Sequence, residues 1–189
     1  VTAEVVAVLK RPETGPATFQ ALLEALAAQM PVEAVALSRA MLTDSEPTGP
    51  LPAKEASCAT ILLSTEPAES WGLVWPRLVG APASLEDVLL SAKRATFRGG
   101  KPFYQRLEAR QVGEIYRWLV ANTPYSGDVE HLGVFTPSRR DELQDLRDEV
   151  LRFLSSGGEV ATLREFEAIR VEQPELAFLA YYAVDARER

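Results

Sequence analysis

The chain has 189 residues, 20 Lys and Arg against 27 Asp and Glu, 47% hydrophobic and 25% charged residues, with one cysteine and one histidine. That length and apolar content suit one domain, or two small ones at most, with a real core, while a formal charge of −7 works against non-specific binding to nucleic acid or an anionic membrane, since neutralising phosphate takes net positive charge. The lone Cys58 excludes an internal disulfide and a multi-cysteine zinc site, the lone His131 excludes a two-histidine metal cage, and no run of about 18 apolar residues is present to span a membrane.

The apolar spacing follows a period of 3.6 almost throughout. Phe19, Leu22, Leu23, Leu26 and Ala27 fill one face of a helix predicted from Pro16 to Met30. Pro31 closes it and opens a second, from about Val32 to Leu42. Thr43 to Pro50 reads as a loop. Helices are predicted over Pro52–Leu63 and Pro67–Val79, the latter with an apolar stripe of Trp71, Val74, Trp75 and Leu78 and a kink at Pro76. Ser84 is the expected N-cap of a helix reaching about Phe97.

In the second half, Glu108, Val112, Ile115 and Leu119 share one face of a helix, and Arg106, Arg110 and Arg117 are expected on the opposite face. Asn122 to Phe135 is a long polar connection. Thr136-Pro137 then starts a helix with Leu143, Leu146, Val150, Leu151 and Leu154 on its stripe, where Asp148 is placed to pair with Arg152. Ser155-Ser156-Gly157-Gly158 ends it, with glycine for a left-handed cap. A further helix carries Val160, Leu163, Phe166 and Ile169, and a last one runs from Pro174 to about Arg187. The Val-rich start, Val1–Leu9, is read as helix rather than strand.

The expected architecture is therefore all-α, about nine or ten helices in stacked antiparallel pairs. Two hairpins, Pro16–Leu42 and Pro52–Val79, are offset by roughly the repeat length of HEAT-like solenoids, in which no hairpin buries its apolar face alone. The whole chain, 1–189, reads as one helical-repeat domain, with a subdivision into hairpins over 1–100 and a helical cap over 101–189.

Chemistry-bearing motifs are scarce. No phosphate-binding glycine loop and no nucleophile elbow occurs, and Gly99-Gly100 and Gly157-Gly158 stand at helix ends. Cys58 lies in an apolar helix as a structural thiol. No catalytic, cofactor or metal residue is assigned, and no enzyme activity is expected. The alternative is a metal-dependent or hydrolytic site on the loop holding Asp128, Glu130 and His131.

Charge carries the sharpest signal. Residues 91–118 hold seven basic side chains (Lys93, Arg94, Arg98, Lys101, Arg106, Arg110, Arg117) and two acidic ones, a local excess of +5 in an acidic chain. A docking face for an acidic protein surface would use Lys93, Arg94, Arg106, Arg110 and Arg117, with His131 and Tyr125 from the adjoining loop. The simpler reading is a solvated face balanced by the chain's own acids.

Ser70-Trp71-Gly72-Leu73-Val74-Trp75-Pro76, Ile115-Tyr116-Arg117-Trp118-Leu119-Val120, Pro124-Tyr125, Thr136-Pro137-Ser138-Arg139-Arg140 and Leu146-Arg147-Asp148 follow one another in an order that resembles the C-terminal helical region of bacterial NACHT-type NTPases of the STAND class. The resemblance spans roughly Ala53 to Tyr182. It implies a HEAT-like arm excised from a longer cytoplasmic protein, serving sensing, autoinhibition or assembly in signalling or anti-phage defence. Its partner would be the NTPase module of the same parent chain, with no membrane or nucleic acid involved. A free-standing helical adaptor binding a protein partner is the second reading.

Overall fold

The computed structural model describes residues 2–45, 51–95, 100–124, 139–156, 158–176 and 178–180. Among these the chain is all-α, without a strand: α1 (Thr2–Leu9), α2 (Pro16–Gln29), α3 (Pro31–Asp44), α4 (Ala53–Thr65), α5 (Pro67–Val79), α6 (Pro82–Ala95), a 3-10 turn (Phe103–Arg106), α7 (Ala109–Asn122), α8 (Arg139–Ser156) and α9 (Val160–Glu172). Of the ambiguous Val-rich start, Thr2–Leu9 is helix, the reading preferred over a strand.

Four helices end by one device. Met30, Glu66, Thr123 and Gln173 each precede a proline, and each takes φ between −125° and −140° with ψ between 63° and 70°. A proline ring excludes the α region for the residue before it, so the helix cannot continue. The N–H of each of these residues still reaches the carbonyl four positions back. At Met30 and Glu66 the proline then becomes the first residue of α3 or α5, so two helices meet through a single residue. These two corners stand 36 positions apart, the offset seen in the sequence.

Several boundaries differ from expectation, among them the end of α3, which runs on through Thr43 and Asp44 into the expected loop. α6 starts at Pro82 rather than at a Ser84 cap, because Pro82 suits the first turn; Ser84 lies inside the helix and its hydroxyl donates to the Leu51 carbonyl at 3.5 Å. Pro174 and Glu175 form a turn, and helix resumes at Leu179, so the expected last helix does not start at its proline. Gly158, with φ of 76°, supplies the left-handed residue predicted after α8.

The chain divides into two compact units, Val1–Arg106 and Leu107–Arg189. In the first, α4 is the central helix, packed against α2, α3, α5, α6 and the 3-10 turn. It buries Cys58, Ala59, Ile61, Leu62 and Leu63. Helices next but one in sequence also touch, α2 with α4, α3 with α5 and α4 with α6. α5 carries the stacked rings of Trp71 and Trp75, 4.5 Å apart and 14° from parallel. Pro76 sits within α5 on an exposed position. Just after the proline, Arg77 donates from Nη1 to the Leu73 carbonyl at 2.9 Å, and from Nη2 to Leu42 at 2.8 Å, closing the end of α3.

The second unit is built otherwise. α7, α8 and α9 each touch both others, making a three-helix bundle around Ile115, Tyr116, Leu146, Val150, Phe166 and Ile169. α7 is the most sharply two-sided helix, and its Glu108–Gln111 capping box includes an N–H donated to Gln111 Oε1 at 2.9 Å.

Candidate functional site

The basic segment is dispersed by the fold. Arg106 does not share a helix with Arg110 and Arg117: it ends the 3-10 turn, and α7 begins three residues later. Its guanidinium donates to the carbonyls of Thr65, at 3.0 Å, and Ser64, which terminate α4. The last carbonyls of a helix have no partner within it and carry partial negative charge, so a guanidinium there is a cap. Burial of this group lowers its pKa against the opposing charge of Glu69.

Arg117 is also committed. Nη1 lies 2.6 Å from Glu165 and Nε 2.7 Å from Glu172, both on α9. Gly113, one turn earlier on α7, leaves room for the Glu165 carboxylate. Arg110 faces solvent, its side chain 85% exposed, 3.3 Å from Glu114. Lys93 and Arg94 end α6, the first half-buried and the second exposed. The single face expected for Arg106, Arg110 and Arg117 is thus replaced by a cap, a solvated side chain and an interhelical clamp. Tyr125, Asp128, Glu130 and His131 lie outside the described residues.

Arg147, from the Leu146-Arg147-Asp148 run, is buried and donates to the Thr123 carbonyl at the end of α7. Its Nε contacts Asp148 at 3.0 Å, so that carboxylate takes its neighbour rather than Arg152. The remaining nucleophile candidate, Cys58, is fully buried with Met41 Sδ 3.9 Å away.

The feature that spacing analysis missed lies in the first unit. α2 and α6 flank α4, and the side of α4 between them carries mostly short side chains, Ala53, Ala56, Ser57, Thr60, Ser64 and Thr65, with Ile61 the one large residue. Flanking helices with longer side chains therefore stand above it, and a groove runs along α4 as two adjoining recesses of about 400 and 470 Å³. Gln20 and Glu24 form one rim; Asp87, Ser91 and, at the far end, Arg94 form the other. The signal was available: short residues at intervals of three and four mark a face that α4 does not use for its core. No group of three or more metal-ligating side chains occurs among the described residues.

No protein family, curated protein or solved structure matches this chain.

Proposed function

We propose that the chain is a non-catalytic helical interaction arm that acts in the cytoplasm as the sensor, scaffold or autoinhibitory region of a NACHT-type STAND NTPase, in signalling or anti-phage defence. The observation that carries this reading is the α2–α4–α6 groove, an open channel floored mostly by short side chains of α4, with room for a polypeptide segment. Arg106, Arg117 and Arg147, by contrast, are engaged in holding helices together, which supports the helical surface itself as the recognition element. The HEAT-like part of the reading is supported by the paired Pro corners and the next-but-one helix contacts of the first unit.

The test joins genetics to binding. The genomic sequence around the coding region is read for a P-loop module, and that module is titrated with this chain by calorimetry. A P-loop module in the same reading frame that binds this chain and turns over nucleotide more slowly when bound is the expected result. Absence of any linked P-loop module, or no heat of binding to it, overturns the proposal. A chain that starts its own reading frame and still binds a protein partner supports the adaptor reading instead.

A further inference from the structure

The groove has a chemical sign, which deepens the interaction-arm reading and rests on it. A serine or threonine hydroxyl carries one proton to donate. On α4 those protons go to carbonyls of the same helix: Ser57 to Ala53 at 3.0 Å, Thr60 to Ala56 at 3.0 Å, Ser64 to Ile61 at 3.1 Å and Thr65 to Ile61 at 2.6 Å. The floor is left with lone pairs to offer, so it accepts hydrogen bonds and does not give them.

The rims agree with the floor. Glu24 on α2 and Asp87 on α6 line the same recess, and among the described residues no lysine or arginine lines it with them; Gln20 lines it too and donates to Glu24 at 2.9 Å, and Arg94 enters only at the far end. Ionised carboxylates are acceptors only. A phosphate or a carboxylate entering there would meet like charge, with only the Gln20 amide and the Ser84 and Ser91 hydroxyls on the rims able to donate. A guanidinium would meet two carboxylates and a row of hydroxyl lone pairs, with five N–H groups to fill them.

We propose that the α2–α4–α6 groove docks an arginine-bearing polypeptide segment, its guanidinium held by Glu24 and Asp87 over the hydroxyls of α4. The polarity is the reverse of the sequence expectation: this chain supplies the acidic side of the contact and its partner the basic side.

The probes are two acetylated peptides, four repeats of Ala-Arg-Ser and four repeats of Ala-Glu-Ser, titrated into the isotope-labelled full chain and followed by amide chemical shifts. The arginine peptide should shift amides of α2, α4 and α6 along a saturable curve, and the glutamate peptide should not. The double variant Glu24→Gln, Asp87→Asn, both at exposed positions, should weaken that binding about tenfold or more. Thr60→Lys, which puts the chain's own ammonium on the groove floor, should abolish it. Unmoved groove amides, equal response to the glutamate peptide, indifference to the double variant, or stronger groove binding by a duplex DNA or RNA fragment each overturn the assignment. A natural partner that binds another face removes this inference and leaves the interaction arm standing. Arginine-peptide binding in the groove without any linked NTPase removes the NTPase arm and leaves this inference.

Discussion

Arg117 Nη1 lies 2.6 Å from Glu165 Oε1, and the Glu165 carboxylate occupies the space where residue 113 would otherwise carry a side chain. A Cβ on Gly113 would stand 2.7 Å from both Arg117 Nη1 and Glu165 Cδ, closer than nonbonded atoms tolerate. Glycine within a helix normally costs stability relative to alanine. Here it admits an ion pair that joins α7 to α9.

Gly113→Ala should therefore gain little from helix propensity, because the flexible ends of Glu165 and Arg117 must move aside and their ion pair is disturbed, leaving stability within about 0.5 kcal/mol of the parent. In a Glu165→Ala background the clash is gone, and the same change should stabilise by up to about 1 kcal/mol through helix propensity. Urea unfolding of the four proteins measures this coupling. Additive effects would show that residue 113 and the ion pair are independent.

Arg106 and Arg110, both of the expected stripe, should separate in a stability assay. Arg106→Gln removes a helix cap and leaves two carbonyls short of a donor, a loss of about 1–3 kcal/mol. Arg110→Gln, at a solvated position, should stay within about 0.5 kcal/mol of the parent. Thermal melts of the two variants decide it, and equal midpoints would refute the cap.

Acid should weaken the α7–α9 contact through Glu172. The hydrogen bond from Arg117 holds the Glu172 carboxyl below its ordinary value of 4.5, with slight burial opposing and the guanidinium charge assisting. A depressed folded value means that this stabilisation is complete above 4.5 and is lost as pH falls through the lower folded value. Glu172 is half exposed, so the amount is under about 1 kcal/mol. Denaturant midpoints followed from neutral to acid pH should fall less steeply for Glu172→Gln, and parallel curves would contradict the assignment.

Cys58 should behave as a closed thiol. Burial pushes it up to about 11 against a lesser pull from the neighbouring Ser38 hydroxyl, and the Glu55 charge adds to the rise. Relative to an unfolded thiol near 9.0, about a hundredfold less thiolate is present at mildly alkaline pH. A raised thiol value retains its stabilisation below 9.0 and loses it as pH climbs toward 11. Reaction with a chromogenic disulfide should be at least that much slower in the native chain than in urea. Comparable rates would mean that α4 opens freely.

Much of the helical layout was legible because it is written in local rules. Pro31 and Pro67 state where one helix stops and the next begins, and the stripe of Val112, Ile115 and Leu119 states which side of α7 is buried. The basic stripe failed for a physical reason: helical spacing holds only within one helix, and Arg106 belongs to the turn before α7. Nothing in its neighbours announces that its guanidinium reaches back 41 and 42 positions to the end of α4. The groove was hidden differently. Ala56, Ser57 and Thr60 look like filler in an apolar helix until α2 and α6 are placed on either side.

The Trp71–Trp75 stack divides the chain optically. The sequence holds three tryptophans, and the third, Trp118, lies in the other compact unit. Fluorescence of a Trp118→Phe variant therefore comes from this pair, whose rings lie 4.5 Å apart, and follows Val1–Arg106 alone, while that of a Trp71→Phe, Trp75→Phe variant follows Leu107–Arg189 alone, so each half of the chain carries its own colour.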